Sequence, residues 1–162
     1  MQNMSLGVEL KYMQMKEIIK EAFIISENAT FGEALSLMLN NHTNTLLVTN
    51  DEGELTGEVS VSDLFDGIIP ISFDGDEAIA HLDNEESFAK TVHDAKNTPV
   101  FEFMNSDFTV VHPDDSIIDV ASVAITHQRA RIPVVDHDNH PVGMISRQGL
   151  KQILGKYLTK KQ

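Results

Sequence analysis

The chain of 162 residues has no cysteine. A disulfide, a thiolate zinc site and a cysteine nucleophile are therefore excluded. Arginine is scarce, with only Arg129, Arg131 and Arg147. Twelve basic residues stand against twenty-five acidic ones, a net charge of −13. So acidic a chain is a poor general nucleic-acid binder, because phosphate backbones call for a net basic surface. No apolar run approaches the roughly 18–20 residues of a membrane helix, and Met1–Lys11 lacks the basic start and apolar stretch of a secretion signal. The expected setting is the cytoplasm, with no membrane and no nucleic acid as partner. Catalytic signatures are missing too: no Gly-x-Ser-x-Gly, no His-Glu-x-x-His, no phosphate loop and no dinucleotide glycine fingerprint. Asp74, Asp76 and Glu77 do not fit the spacing of a calcium loop. The expectation is a protein that is not an enzyme and has no catalytic residue and no required cofactor.

What is present is a repeat. Sliding the chain along itself by 86 residues places Val48 on Val134, Gly57 on Gly143, Ser60 on Ser146 and Leu64 on Leu150. Identity is sparse, yet residue classes agree without a gap over fifty or so positions. Each copy opens with a short apolar strand, Phe23-Ile24-Ile25 or Thr109-Val110-Val111. A helix follows, announced by Thr30 with Glu33 in the first copy and Ser116 with Asp119 in the second. Phe31, Ala34, Leu35 and Met38, and then Ile117, Val120, Ala121 and Ala124, recur at helical spacing as the buried faces. A hairpin comes next, then a second helix capped by Ser60 or Ser62 in one copy and Ser146 in the other. The fold class expected is α/β, with the order β-α-β-β-α twice.

The predicted organisation is an N-terminal helix over 1–14, a first domain over 15–69, an acidic connector over 70–100, a second domain over 101–158 and a basic tail over 159–162. In the connector Asp74-Gly75-Asp76 reads as a turn, and Glu85–Ala95 as a helix with Phe88 and Val92 on one face.

The motifs Arg131-Ile132-Pro133-Val134-Val135-Asp136 and Gly143-Met144-Ile145-Ser146, with Leu46-Leu47-Val48, Gly57 and Ser60-Val61-Ser62-Asp63-Leu64 in the first copy, resemble a tandem pair of CBS domains, a Bateman module. The stretch Ile145–Leu154 is also similar to the end of small stand-alone Gram-positive CBS pairs, some of which bind cyclic di-AMP. The resemblance implies two repeats packed with pseudo-two-fold symmetry and a cleft between them for an adenine nucleotide or cyclic di-AMP, a regulatory ligand. Carried over position by position, the nucleotide-binding set would be Ile24, Ile25, Leu46, Leu47, Ser60, Ser62 and Asp63 in the first copy. In the second it would be Val111, His112, Arg131, Ile132, Pro133, Ser146 and Arg147. The resemblance further implies a homodimer formed through helices, and an unidentified protein target whose binding the ligand alters. Apolar residues beyond a single stripe, such as Leu37, Leu39, Val123 and Ile125, agree with a second helix partner.

The hairpins allow a geometric reading of their own. If residue numbers summing to 277 face each other, Arg131 lies opposite Ser146; with a sum of 105, Thr45 lies opposite Ser60. One end of each hairpin then meets a helix N-terminus, where free N–H groups and partial positive charge favour anions. All three arginines fall in the second copy, and residues 147–162 hold five basic and no acidic side chains. Phosphate contact is one reading, and solvated arginines pairing with carboxylates is the other. Asp63 is either a ribose acceptor, as the resemblance implies, or a carboxylate favoured by the helix dipole.

The copies also depart from the family pattern. Gly149 stands where Asp63 stands in the first copy, and Leu47 stands where Pro133 does. These departures leave open a structural module whose clefts are vestigial. His112 could stack on a base or serve as a cap. Asp136-His137-Asp138-Asn139-His140 could hold a transition metal, though turns select such residues anyway, and no metal site is expected.

Overall fold

The structure is a computed structural model that describes residues 13–69, 76 and 82–159. The chain forms two compact units, Phe23–Phe108 and Met1–Ala22 with Thr109–Gln162.

In the first unit, β2 (Ile24–Ser26) runs parallel to β3 (Thr45–Thr49), which pairs antiparallel with β4 (Leu55–Ser60). The register is Thr45↔Ser60 through Val48↔Gly57, shifting after Val48. Helix α1 (Phe31–Asn41) starts at a complete capping box, Thr30 with Glu33. It stops at His42, which is left-handed at φ 51° and sends its N–H to the Met38 carbonyl. Helix α2 (Val61–Ile68) is capped by Ser60, which settles the choice against Ser62. Helix α3 (Glu85–Asp94) lies where the connector's spacing placed one and is capped by Asn84. Phe31, Ala34, Met38, Leu46, Val48, Val59 and Leu64 form the core. Each fully buried Leu or Val contributes about 1.5–3 kcal/mol of transfer free energy. Leu35 is half-buried rather than buried.

The second unit repeats the plan. Helix α4 (Ile117–Thr126) begins at the Ser116–Asp119 capping box, and β5 (Ile132–Val135) pairs antiparallel with β6 (Pro141–Ile145). Helix α5 (Arg147–Leu158) is capped by Ser146. Ile18, Ile117, Val120, Ile132, Val134 and Ile145 form its core, with Ala124 packed beside them. The strand expected over 109–111 shrinks to a single parallel bridge, Val111↔Val134. The ladder stops there because Pro113 has no N–H and the His112 N–H donates to Asp115 instead, at 2.7 Å.

Each unit also contains a segment outside the β-α-β-β-α order. Strand β1 (Ile19–Lys20), ahead of the first copy, pairs with β6 of the second unit, Lys20 opposite Met144. Asn105, ahead of the second copy, bridges Glu58 on β4 of the first unit. Short 3-10 turns, Met15–Glu17 and Val100–Glu102, lead into the two segments. The segment preceding each copy thus completes the sheet of the other. This crossing explains the matched glycines. A Cβ on Gly57 would stand 2.7 Å from Met104 Sδ, and one on Gly143 would stand 2.6 Å from the Lys20 carbonyl oxygen.

Of the helix expected over 1–14, only Met13 and Gln14 are among the described residues, and neither is helical. Of the expected turn, Asp74 and Gly75 lie outside the described residues, and Asp76 is helical. No helix among the described residues is long and apolar enough to cross a membrane.

Candidate functional site

In the first unit, the Thr45 end of β3 meets the start of α2. Thr45 lies directly opposite Ser60. Thr45 is buried, and its Oγ1 has no hydrogen-bond partner. An unsatisfied buried hydroxyl typically costs about 1–3 kcal/mol. Ser60 donates its N–H (2.7 Å) and its hydroxyl (2.9 Å) to Asp63 Oδ2 and accepts the Asp63 N–H at 3.4 Å. Asp63 is therefore a capping carboxylate, and Oδ1 is the oxygen these bonds leave to a ligand. Ile24 is 46% exposed beside Leu47, whereas Ile25, Leu46 and Leu47 are buried. Ser62 is exposed on the first turn of α2. Leu46 and Leu47, both wholly buried, can shape this end but offer little surface to a ligand.

The second unit builds the equivalent end from different chemistry. The ladder ends where Ile132 pairs with Ile145, and Arg131 and Ser146 are the residues that flank that last pair. Ser146 Oγ accepts the Gly149 N–H at 3.3 Å. Helix α5 has no acidic residue in its first turn, while α1 to α4 each have one or more. Its N-terminus thus keeps its partial positive charge and adds the exposed Arg147 and the half-buried Arg131. Ile132 and Pro133 are buried, and the Pro133 carbonyl accepts the Val111 N–H at 3.1 Å. Gly149 is buried against the neighbouring segment: a Cβ there would lie 3.3 Å from the Ile18 carbonyl oxygen. Packing, then, occupies the position where the first copy holds its aspartate.

His112 is not brought to this end. It follows Val111, which bridges Val134, three residues along β5 from Arg131. That is roughly 10 Å at about 3.3 Å per strand residue. Its ring stacks on His137 at the hairpin tip, with centroids 5.1 Å apart and planes 11° from parallel. Val111 itself is fully buried. Thr45 was absent from the expected binding set. The pairing arithmetic placed it opposite Ser60, but only its burial marks it as a polar group in need of a partner.

A pocket of about 590 Å³ lies among α1, α2 and α3 of the first unit, with Leu39, Val61, Phe65 and Phe88 on its walls. Leu39 and Phe65 are more than half exposed.

Residues 15–70 and 100–156 match the family described as CBS domain. The uncharacterized protein MJ1426 of Methanocaldococcus jannaschii is 26% identical over 160 residues, covering 92% of this chain and 95% of that protein. The CBS domain of a CBS domain containing membrane protein from Sphaerobacter thermophilus superposes with a TM-score of 0.72 at 21% identity, over 94% of both chains. The CBS domain pair of MJ0100, in complex with 5-methylthioadenosine and S-adenosyl-L-methionine, gives 0.62 at 18% identity, over 90% of this chain and 98% of that one. The cytosolic domain of the Mg2+ channel MgtE, in complex with ATP, gives 0.59 at 20% identity, over 82% of this chain and 44% of that one.

Proposed function

The chain belongs to the CBS-domain family, and from that premise we propose that it is a non-catalytic sensor of an adenine nucleotide. The observation that carries the reading is the acid-free N-terminus of α5, flanked by Arg131 and Arg147 in a chain of net charge −13. That end suits the phosphates of AMP, ADP, ATP or cyclic di-AMP better than an uncharged nucleoside. In the first unit, Thr45 Oγ1 and Asp63 Oδ1 suit ribose or base polar atoms. The solved relatives that hold ATP or S-adenosyl-L-methionine support the ligand class. Binding acts on a protein target only through a difference in affinity between two states of this chain. The proposed setting is the cytoplasm and the proposed assembly a homodimer, for which the exposed Leu39, Val61 and Phe65 supply an apolar face.

The second reading, a structural module with vestigial clefts, draws on Gly149, where packing takes the aspartate's place, and on the wholly buried Leu47. A thermal-shift panel of AMP, ADP, ATP, S-adenosylmethionine and cyclic di-AMP separates the two. A saturable rise in melting temperature with one of them supports the sensor. No rise with any at millimolar concentration supports the module.

A further inference from the structure

The two hairpin turns share one backbone plan and differ in their side chains. In the first, the Asn50 side-chain oxygen accepts the N–H groups of Glu52 (3.0 Å) and Glu54 (2.9 Å), and Gly53 is left-handed at φ 80°. In the second, Asp136 Oδ1 accepts the N–H groups of Asp138 and His140, both at 2.9 Å, and Asn139 is left-handed at φ 65°. The fold therefore needs one side-chain acceptor at this turn, which neutral Asn50 supplies as well as Asp136. That backbone plan does not call for a charged Asp136.

We propose that the second turn is a binding site for a divalent transition metal of the zinc class, with Asp136, Asp138 and His140 as ligands. Their ligand atoms all lie within 4.8 Å of one another. His140 Nδ1 stands 3.6 Å from Asp136 Oδ2, the oxygen not used by the turn's backbone. That is too long for a hydrogen bond. It is close to the roughly 3.3–3.5 Å that separates two ligands each about 2.0–2.2 Å from one tetrahedral ion. In the sister turn the corresponding pair, Asn50 and Glu54, closes into an ordinary hydrogen bond of 3.0 Å.

The surroundings favour a dication. The N–H groups of His140 and Asp138 both engage Asp136 Oδ1, which leaves Oδ2 as the oxygen turned to an ion. His137 faces Asp114 at 3.4 Å and stacks on His112, which faces Asp115 at 3.6 Å. Four carboxylates thus accompany three imidazoles at this end. One imidazole with two carboxylates selects zinc, cobalt or nickel over magnesium or calcium, which prefer oxygen alone.

The test is calorimetry of the full chain with zinc chloride and with magnesium chloride, without nucleotide. Zinc should bind at one site and magnesium should give no comparable heat. His140→Asn and Asp138→Asn should each weaken zinc at least about ten-fold, since loss of even an outer-shell partner costs about 10–100-fold. Glu52→Gln in the sister turn should leave zinc binding unchanged. Circular dichroism of each variant checks that the exposed turn is altered without unfolding. Zinc binding that is absent, that survives both second-turn substitutions, that falls equally with Glu52→Gln, or that magnesium matches would overturn the site.

Discussion

Thr45 and Ser60 face each other at the last rung of the β3–β4 ladder, yet only Ser60 is satisfied. Its hydroxyl and N–H close the cap of α2, while the Thr45 hydroxyl is buried without a partner. The position that Thr45 holds in the first copy is held by Arg131 in the second. Two units of one plan therefore offer a neutral polar group at one helix start and a cation at the other.

Thr45→Val keeps the shape and removes the orphan hydroxyl. The apo melting temperature should rise, by the equivalent of about 1 kcal/mol, helped by valine's preference for strands. The stabilisation given by the active nucleotide should shrink if Thr45 contacts it. A fall in apo melting temperature would show that the hydroxyl is satisfied after all.

Arg147→Ala should weaken a phosphate-bearing nucleotide by about 1.5–3 kcal/mol, the scale of a charge-assisted hydrogen bond, which is about ten-fold or more. Stability should change by only a few tenths of a kcal/mol, as for most exposed side chains. Asp63→Asn reports on the first unit instead. Calorimetry in which Asp63→Asn abolishes binding and Arg147→Ala does not would move the ligand to that unit.

Gly149→Asp recreates the acidic position of the first copy. The new Cβ would press on the Ile18 carbonyl and Ile145 Cγ2, each at 3.3 Å. The variant should lose about 1–3 kcal/mol in urea unfolding, the usual cost of overpacking. Its carboxylate should also weaken, not restore, nucleotide binding at α5. A variant as stable as the parent with tighter ribose binding would reverse that view.

Sedimentation should show a dimer at micromolar concentration, and Leu39→Glu with Phe65→Glu should give the 18.0 kDa monomer. Both side chains lie on the wall of the pocket among α1, α2 and α3 and are largely exposed, so the exchange costs little folding energy. A wild-type monomer would remove the dimer from the proposal.

Acid should loosen the second unit. Asp119 is held below the usual carboxylate range by the Ser116 N–H and hydroxyl, and Glu17 chiefly by the Gln14 N–H, with Lys156 contributing. A carboxyl with a depressed folded pKa stabilises above its unfolded value, about 4, and loses that contribution as pH falls through the folded one. Stability should thus decline below about pH 4, and Asp119→Asn should flatten the decline. Chemical denaturation from pH 3 to pH 6 reads both; an unchanged slope in the variant would dismiss the cap as a titrating element.

Much of the fold was legible because its signals are local. The capping pairs Thr30–Glu33 and Ser116–Asp119 and the apolar stripe of α1 depend on spacings of three and four residues, and the hairpin registers follow from the turns alone. The candidate helix starts at Ser60 and Ser146 were legible for the same reason. What could not be read was any demand set by distant chain. His112 leaves the arginine end for a stack with His137, at the hairpin tip.

The sequence alone therefore determined the duplication, the α/β order and the caps, since each is decided within a few residues of itself. Tertiary structure decided which segment completes which sheet. Gly57 and Gly143 match in sequence because Met104 and Lys20, from the segments ahead of the opposite copies, lie where a Cβ would stand. Gly149 likewise reads as a missing acid until the Ile18 carbonyl is found beside it. Volume exclusion between residues remote in sequence leaves no periodic trace, so only the folded chain reveals it.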